Sequence, residues 1–326
     1  GLCSFLLLRR WLGRGTGAAV RSYPEVSEQY LGKIDYTKAD GIVVLDRHAL
    51  SLDIINGIKQ RGLSIIWIDH HAVEDTKMQE ESDFIYYFNS KFTLSKKNTY
   101  PVSFHMQKIA NQKKDYWISL VGCISDCYLP SYHKEFAKKN PQMWAKKVKT
   151  AFDAYYKTLL GKIALYLNFS LKNSAMQVIQ IQDFLIKCQR PEEILEENEG
   201  NPLIVHAAAM LKKCQDYLVD ARATVKGNSL FFQYSGDTSM SAEISNALIY
   251  EFPEKFICVA FKKQGIVNIS LRGDNVKQIL EEILKYLGTG TGGGHRDAVG
   301  ARIPRNKLEE FQELFREKTE KIKTFK

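Results

Sequence analysis

Two short runs, DGIVVLD at residues 40–46 and LSIIWID at 63–69, are almost continuously apolar, and each ends in an aspartate. Between them, HALSLDIINGIKQRG spaces Leu52, Ile55 and Ile58 along one helical face and stops at Gly62. Antiparallel neighbours can be joined by a two-residue turn, whereas parallel ones need a crossover of a dozen or more residues, so strand, helix, strand at this separation predicts parallel pairing. Apolar character on nearly every residue marks strands buried on both faces. The chain is thereby directed to an α/β class built on a parallel sheet, with functional groups collecting at the carboxyl ends of the strands.

The flanking sequence extends this pattern. AAVRSYP (18–24) and FIYYFN (84–89) read as further strands, and the opening GLCSFLLLRRWL reads as a helix within the fold. Its charges follow the apolar stretch, the reverse of a secretory signal. From about 99 to 222 the pattern is mostly helical, broken near Pro130, Pro141, Pro191 and Pro202. Beyond that, NSLFFQYSG, EKFICVAFKK and GIVNISLRG read as strands, with helices at about 239–250, 275–287 and 305–320. The expected organisation is a parallel-sheet domain over 1–200 with a helical insert at about 130–190, a connector helix over 201–222, and a smaller α+β unit over 223–326.

Charge and cysteine usage narrow the setting. Six scattered cysteines lack the dense even spacing of a secreted scaffold, so a reducing cytoplasm is expected. Cys123 and Cys127 have no second pair at zinc spacing. No apolar run reaches membrane-spanning length. The net charge of +9 comes largely from residues 131–172, where nine lysines face only Glu135 and Asp153 and aromatic residues are interleaved. Such a segment suits a surface that neutralises phosphates and stacks bases. It equally suits an amphipathic helical hairpin with aromatics inward and lysines solvated.

At the end of the second apolar run stand Asp69, His70 and His71; Asp46 ends the first, and Asp126 closes the apolar LVGCISD. Carboxylates mixed with imidazoles suit hard or borderline divalent ions such as Mn²⁺ or Mg²⁺. Two such ions sharing a carboxylate can activate water and neutralise a phosphoryl group together. Taken alone, DHH also fits a capping acid with two surface histidines, and His48 beside Asp46 fits a surface or cap role. His105, His133 and His206 have no partner at ligand spacing and read as structural.

VVLD (43–46), WIDHH (67–71), GCISD (122–126) and GTGTGGGHRDAVGARI (288–303), in this order over nearly the whole chain, resemble the motifs of the DHH phosphoesterase superfamily with its DHH-associated C-terminal domain. The helical middle most resembles archaeal RecJ-like nucleases. The resemblance implies Mn²⁺ as cofactor, two ions in the complete protein, with Mg²⁺ as the alternative. It implies Asp46 as the bridging ligand, His70 and Asp126 as ligands of the second metal, His71 facing substrate, and Asp69 orienting a histidine. Phosphate and nucleotide contacts fall on Gly292, Gly293, Gly294 and His295, with Arg272 of SLRG as a charged clamp. A glycine run has its own physical meaning, since it lets backbone N–H groups approach a phosphate closely. As a lone signal it is also simply a turn. Asn89, at a strand end, is a further candidate for substrate contact.

The family begins with a strand ending in a His and an Asp-x-Asp followed by Gly, and here GLCSFLLLRRWL matches only that Gly and the helix after it. The expectation is that this sequence is a fragment of a longer protein. Without those residues the first metal keeps only Asp46, and the second keeps Asp46, His70 and Asp126. The implied activity is two-metal hydrolysis by a RecJ-like exonuclease on single-stranded DNA or RNA, with replication or repair proteins as partners and no membrane. The alternatives are a phosphodiesterase for short oligonucleotides, cyclic dinucleotides or nucleoside bisphosphates, and a non-catalytic Cdc45-like replication scaffold.

Overall fold

In the computed structural model the apolar runs pair as their spacing predicts: β1 (Ile42–Leu45), β2 (Ile65–Asp69) and β3 (Ile85–Asn89) form a parallel sheet in that order, with Ile42 opposite Ile65 and Ile65 opposite Ile85. The structure describes residues 1–20, 26, 30, 32, 34–71, 83–93, 100–145, 147–196 and 201–322. Of the strand expected at 18–24, residues 21–24 lie outside the described residues, and 18–20 form no strand. The chain divides into two compact units, Gly1–Ala207 and Ala208–Lys326.

One face of the three-stranded sheet is covered by α2 (Leu52–Lys59), whose first turn is capped by Ser51 Oγ accepting from the Ile54 amide. Its inward face is Ile54, Ile55 and Ile58, packed on Ile65, Trp67 and Ile85. Leu52, expected inward, is 55% exposed. The Ser51 cap starts the helix at Leu52, which places that side chain on the solvent side of the first turn.

On the other face Ile68 joins a larger core containing Leu6 and Leu7 of α1 (Leu2–Leu12), Val102 and Met106 of α3 (Val102–Ala110), and Ile118 and Leu120 of α4 (Tyr116–Ser125). Leu6 and Leu7 are wholly buried, each contributing about 2 kcal/mol of apolar burial. Arg10 ties the far end of α1 down. Its Nη2 lies 2.8 Å from Asp115 Oδ1, and Nη1 donates to the carbonyls of Ile186 and Cys188. Both charges are buried, so neither partner is dispensable once the other is in place.

Residues 131–172 contribute α5 (His133–Lys139), α6 (Ala151–Lys157) and α7 (Leu159–Ser170), followed by α8 (Ala175–Lys187). Phe136 is buried, and Trp144 is half-buried and stacked on His133. Lys134, Lys138, Lys139, Lys147, Lys149 and Lys157 are exposed. Here the aromatics turn inward and the lysines outward, as in the amphipathic alternative.

The helix α9 (Ile204–Arg222) runs across the division between the units. The second unit is built on a six-stranded sheet ordered β4-β5-β6-β7-β9-β8. Its strands are β4 (Val225–Lys226), β5 (Ser229–Ser235), β6 (Phe256–Lys263), β7 (Ile266–Arg272), β8 (Thr291–His295) and β9 (Ala298–Pro304). Only β5 and β6 pair in parallel. Helix α10 (Ser241–Glu251) packs on β6 and β7. Helices α11 (Val276–Leu287) and α12 (Leu308–Lys321) bury Ile279, Ile283, Phe311 and Phe315 against the sheet.

The glycine run, expected as a loop, is instead the edge strand β8. Its closeness to β9 explains why glycine is needed: a Cβ on Gly292 would meet Gly300 O at 2.8 Å, and one on Gly294, at φ 142°, would meet Ala298 O at 2.6 Å. Among the described residues no helix is long and apolar enough to cross a membrane.

Candidate metal centre

Parallel pairing brings the carboxyl ends of β1, β2 and β3 to one edge, and with them Asp46, Asp69 to His71, and Asn89. Asp46 follows β1 in the left-handed region at φ 61°. This conformation costs a non-glycine residue about 1–3 kcal/mol. It turns the chain sharply out of the sheet while the Asp46 amide still donates to Ile68 O.

His70 Nε2 lies 3.2 Å from Asp46 Oδ1. The His70 and His71 rings meet at 4.7 Å between centroids, and ligand atoms of Asp46, His70 and His71 all lie within 4.8 Å of one another. Asp69, wholly buried, accepts from His71 Nδ1 at 2.7 Å and from the His71 amide at 3.2 Å. That fixes the proton on Nδ1 and leaves Nε2 with the lone pair. Asn89, also buried, donates to the His71 carbonyl at 3.0 Å and to the Tyr87 hydroxyl at 2.9 Å. Its amide group is thus committed to holding the histidine loop.

Asp126 stands outside the trio that shares 4.8 Å. It caps the carboxyl end of α4, so the apolar run that Asp126 closes is a helix. Part of the residue is open to solvent, but its carboxyl is crowded by protein. That burial and then the charge of Asp46 raise its pKa, against the pull of the Gly1 amino group, His70 and His71. A carboxylate at the negative end of a helix, beside another acid, is short of positive charge. Burial also works against the charged form of Asp46, yet the Gly1 amino group and His70 hold its carboxyl well below the usual range. The hydrogen bond to Asp69 is the main cause that raises the pKa of His71, against burial.

A divalent ion fits this donor set. Asp46 Oδ1 is buried, and the nearby His70 nitrogen does not meet it in hydrogen-bonding geometry. Carboxylate and imidazole are the donors that Mn²⁺ or Mg²⁺ takes. Cys123 and Cys127 enter no such group among the described residues.

The remaining candidates lie in the second unit. The Arg272 guanidinium is anchored by Asn246 Oδ1 at 2.6 Å, Ser270 Oγ at 3.0 Å and Leu271 O at 2.8 Å. Arg272 is opposite Ala298, which is opposite His295, so the two share one row of the sheet. Gly292, Gly293, Gly294 and His295 are all exposed along the edge.

Three residues have contacts at the site that the sequence alone did not show. The His48 ring lies 5.9 Å from that of His71, and burial followed by the charge of His71 lowers its pKa. Its proximity to Asp46 in DRH was the available signal. Asn89 was noticed for substrate contact, not for its grip on His71. The Trp67 indole N–H donates to the Arg47 carbonyl at 2.6 Å, which nothing in an apolar strand announced.

Residues 221–321 match the model of the DHHA1 domain. In fold the chain is similar to a DHH domain described as a member of a family of ribosomal proteins, with a TM-score of 0.65, 14% identity, and 99% of this chain and 84% of that one covered. It is similar as well to RecJ from Thermus thermophilus in complex with Mn²⁺, with a TM-score of 0.61, 12% identity and 99% of this chain covered. This chain spans about half of that RecJ, 51% of its length. A third likeness is to CDC45 from Entamoeba histolytica, with a TM-score of 0.53, 10% identity, and coverage of 98% and 93%. No curated protein matches in sequence.

Proposed function

From a chain that carries a DHHA1 domain over residues 221–321, behind an N-terminal unit with the fold of the DHH proteins, we propose a divalent-metal-dependent phosphodiesterase: a RecJ-like exonuclease on single-stranded DNA or RNA. The observation that carries the reading is the buried, unbonded Oδ1 of Asp46 in a group with His70 and His71. Asp46 and His70 would hold the ion, with Asp126 adding the second carboxylate. A bound Mn²⁺ or Mg²⁺ polarises a phosphoryl oxygen and lowers the pKa of a water.

The rest belongs to the chain's own groups. His71, kept in register by Asp69, which also raises its pKa, binds a non-bridging oxygen and offsets its charge when Nε2 is protonated. In the second unit Arg272 and His295, which share one row of the sheet through Ala298, and the exposed N–H groups of the glycine edge bind phosphate or nucleotide. The lysine face of residues 131–172 supplies non-specific attraction for a polyanion.

The test is hydrolysis of end-labelled single strands of several lengths with Mn²⁺, run on this chain and on one extended upstream. Activity abolished by Asp46→Ala and His70→Ala supports the proposal, and equal activity in those variants overturns it. Rates that fall as the strand lengthens point to short oligonucleotides as the substrate. Absence of both Mn²⁺ binding and hydrolysis in the extended chain leaves a non-catalytic scaffold as the reading.

A further inference from the structure

The left-handed turn at Asp46 is held from the neighbouring strand at two points. The Asp46 amide donates to Ile68 O at 2.9 Å, and one residue on, the carbonyl of Arg47 accepts the indole N–H of Trp67 at 2.6 Å. Trp67 lies in β2, 1% exposed, in a core with Ile54, Ile55 and Ile58. Packing there asks only for a large apolar body. The Arg47 carbonyl asks for a donor, and among the large apolar side chains tryptophan supplies one without an accompanying acceptor.

The same ring reaches the second loop. Trp67 meets Tyr87 edge-on, with centroids 5.1 Å apart at 71°. The Tyr87 hydroxyl accepts from Asn89, whose amide also donates to the His71 carbonyl. One indole therefore stands between the segment that presents Asp46 and the segment that presents His70 and His71.

We propose that Trp67 is a positioning residue of the metal centre: its N–H to Arg47 and its contact with Tyr87 fix Asp46 in its left-handed turn, opposite His70. Only the consequence for metal affinity rests on the divalent-ion reading above. Removing the donor frees the Arg47 peptide to rotate, and the Asp46 carboxylate then loses its fixed distance from His70 while the core keeps an aromatic ring.

The test compares Trp67→Phe with Ile58→Val, a change in the same core that touches neither loop, in the whole chain. Without metal, amide hydrogen exchange at Asp46 is expected to quicken about tenfold or more in Trp67→Phe and to match wild type in Ile58→Val. Mn²⁺ affinity, followed by the electron paramagnetic resonance of the free ion, is expected to fall about tenfold or more in Trp67→Phe alone. Unchanged exchange at Asp46 overturns the proposal, as does unchanged Mn²⁺ affinity where wild type binds the ion. Faster exchange in a protein whose wild type binds no Mn²⁺ upholds the positioning role and sinks the metal reading instead. If Trp67→Phe does not fold, benzothienylalanine incorporated at position 67 replaces it: it keeps the bicyclic ring and removes only the N–H, and faster exchange at the Asp46 amide is the supporting result, no change the refuting one.

Discussion

Asp69 Oδ1 lies 2.7 Å from His71 Nδ1, a wholly buried carboxylate holding a half-exposed imidazole at the end of β2. The pair raises the pKa of His71 above its ordinary value of about 6.5. A group whose folded pKa is raised contributes stability that is fully present below the unfolded pKa and is lost as pH rises through the folded one. Asp69→Asn is therefore expected to bring the His71 titration, followed by NMR in the metal-free protein, down toward 6.5. It should also remove the corresponding loss of stability above that pH.

Asp126 bears on the same centre, and there it is the charged form that the surroundings disfavour. Burial and Asp46 raise its pKa, so in the metal-free chain its contribution is present below about pH 3.9 and lost as pH rises through the folded value. Asp126→Asn is expected to raise the melting temperature of the metal-free protein at pH 7 by on the order of a few degrees at most, since solvent at the open side of the residue screens the repulsion. It should also shrink the stabilisation by saturating Mn²⁺, about 2.7 kcal/mol for an intact site at 100 times its Kd. Differential scanning calorimetry with and without Mn²⁺ measures both effects, and a variant that gains as much from Mn²⁺ as wild type removes Asp126 from the centre.

The parallel sheet and the presence of Asp46, Asp69, His70 and His71 on one edge were legible because period and strand ends are local properties. Asp126 was legible only as an acid after an apolar run. Whether that run is a strand or a helix turns on burial by α1 and α3, which periodicity does not carry. Trp67 and Asn89 were illegible for a related reason. A buried tryptophan reads as packing until the carbonyl it meets, twenty residues away in Arg47, is known. The glycine run misled as a loop, since glycine weakens a strand in isolation, and only the close approach of β9 makes it necessary there.

Thiol chemistry offers a check on the fold around Asp126. Five of the six cysteines are buried, and Cys127, next to Asp126, is exposed. Burial pushes the Cys123 thiol up to about 11 and the Cys3 thiol up to about 12, which keeps them protonated and unreactive near neutrality. Iodoacetamide at pH 8 is expected to modify Cys127 first in the native chain, with peptide mass spectrometry as readout. Mn²⁺ together with an oligonucleotide should slow that modification. Rapid labelling of Cys123 in the native state would contradict the packing of α4.

Neighbouring glycines separate what the edge strand needs for folding from what it needs for binding. Gly294 has φ 142°, and its Cβ would meet Ala298 O at 2.6 Å, whereas a Cβ on Gly293 meets nothing within 4 Å. Gly294→Ala is therefore expected to destabilise the second unit by about 1–3 kcal/mol through backbone strain alone. Gly293→Ala should leave stability within about 0.5 kcal/mol. If the exposed edge N–H groups bind phosphate, the methyl of Gly293→Ala obstructs that approach, so affinity for a short 5′-phosphorylated oligonucleotide should fall while the melting temperature stays put. Isothermal titration with thermal melts on the two variants distinguishes the cases, and full affinity in Gly293→Ala would take the glycine edge out of the phosphate site.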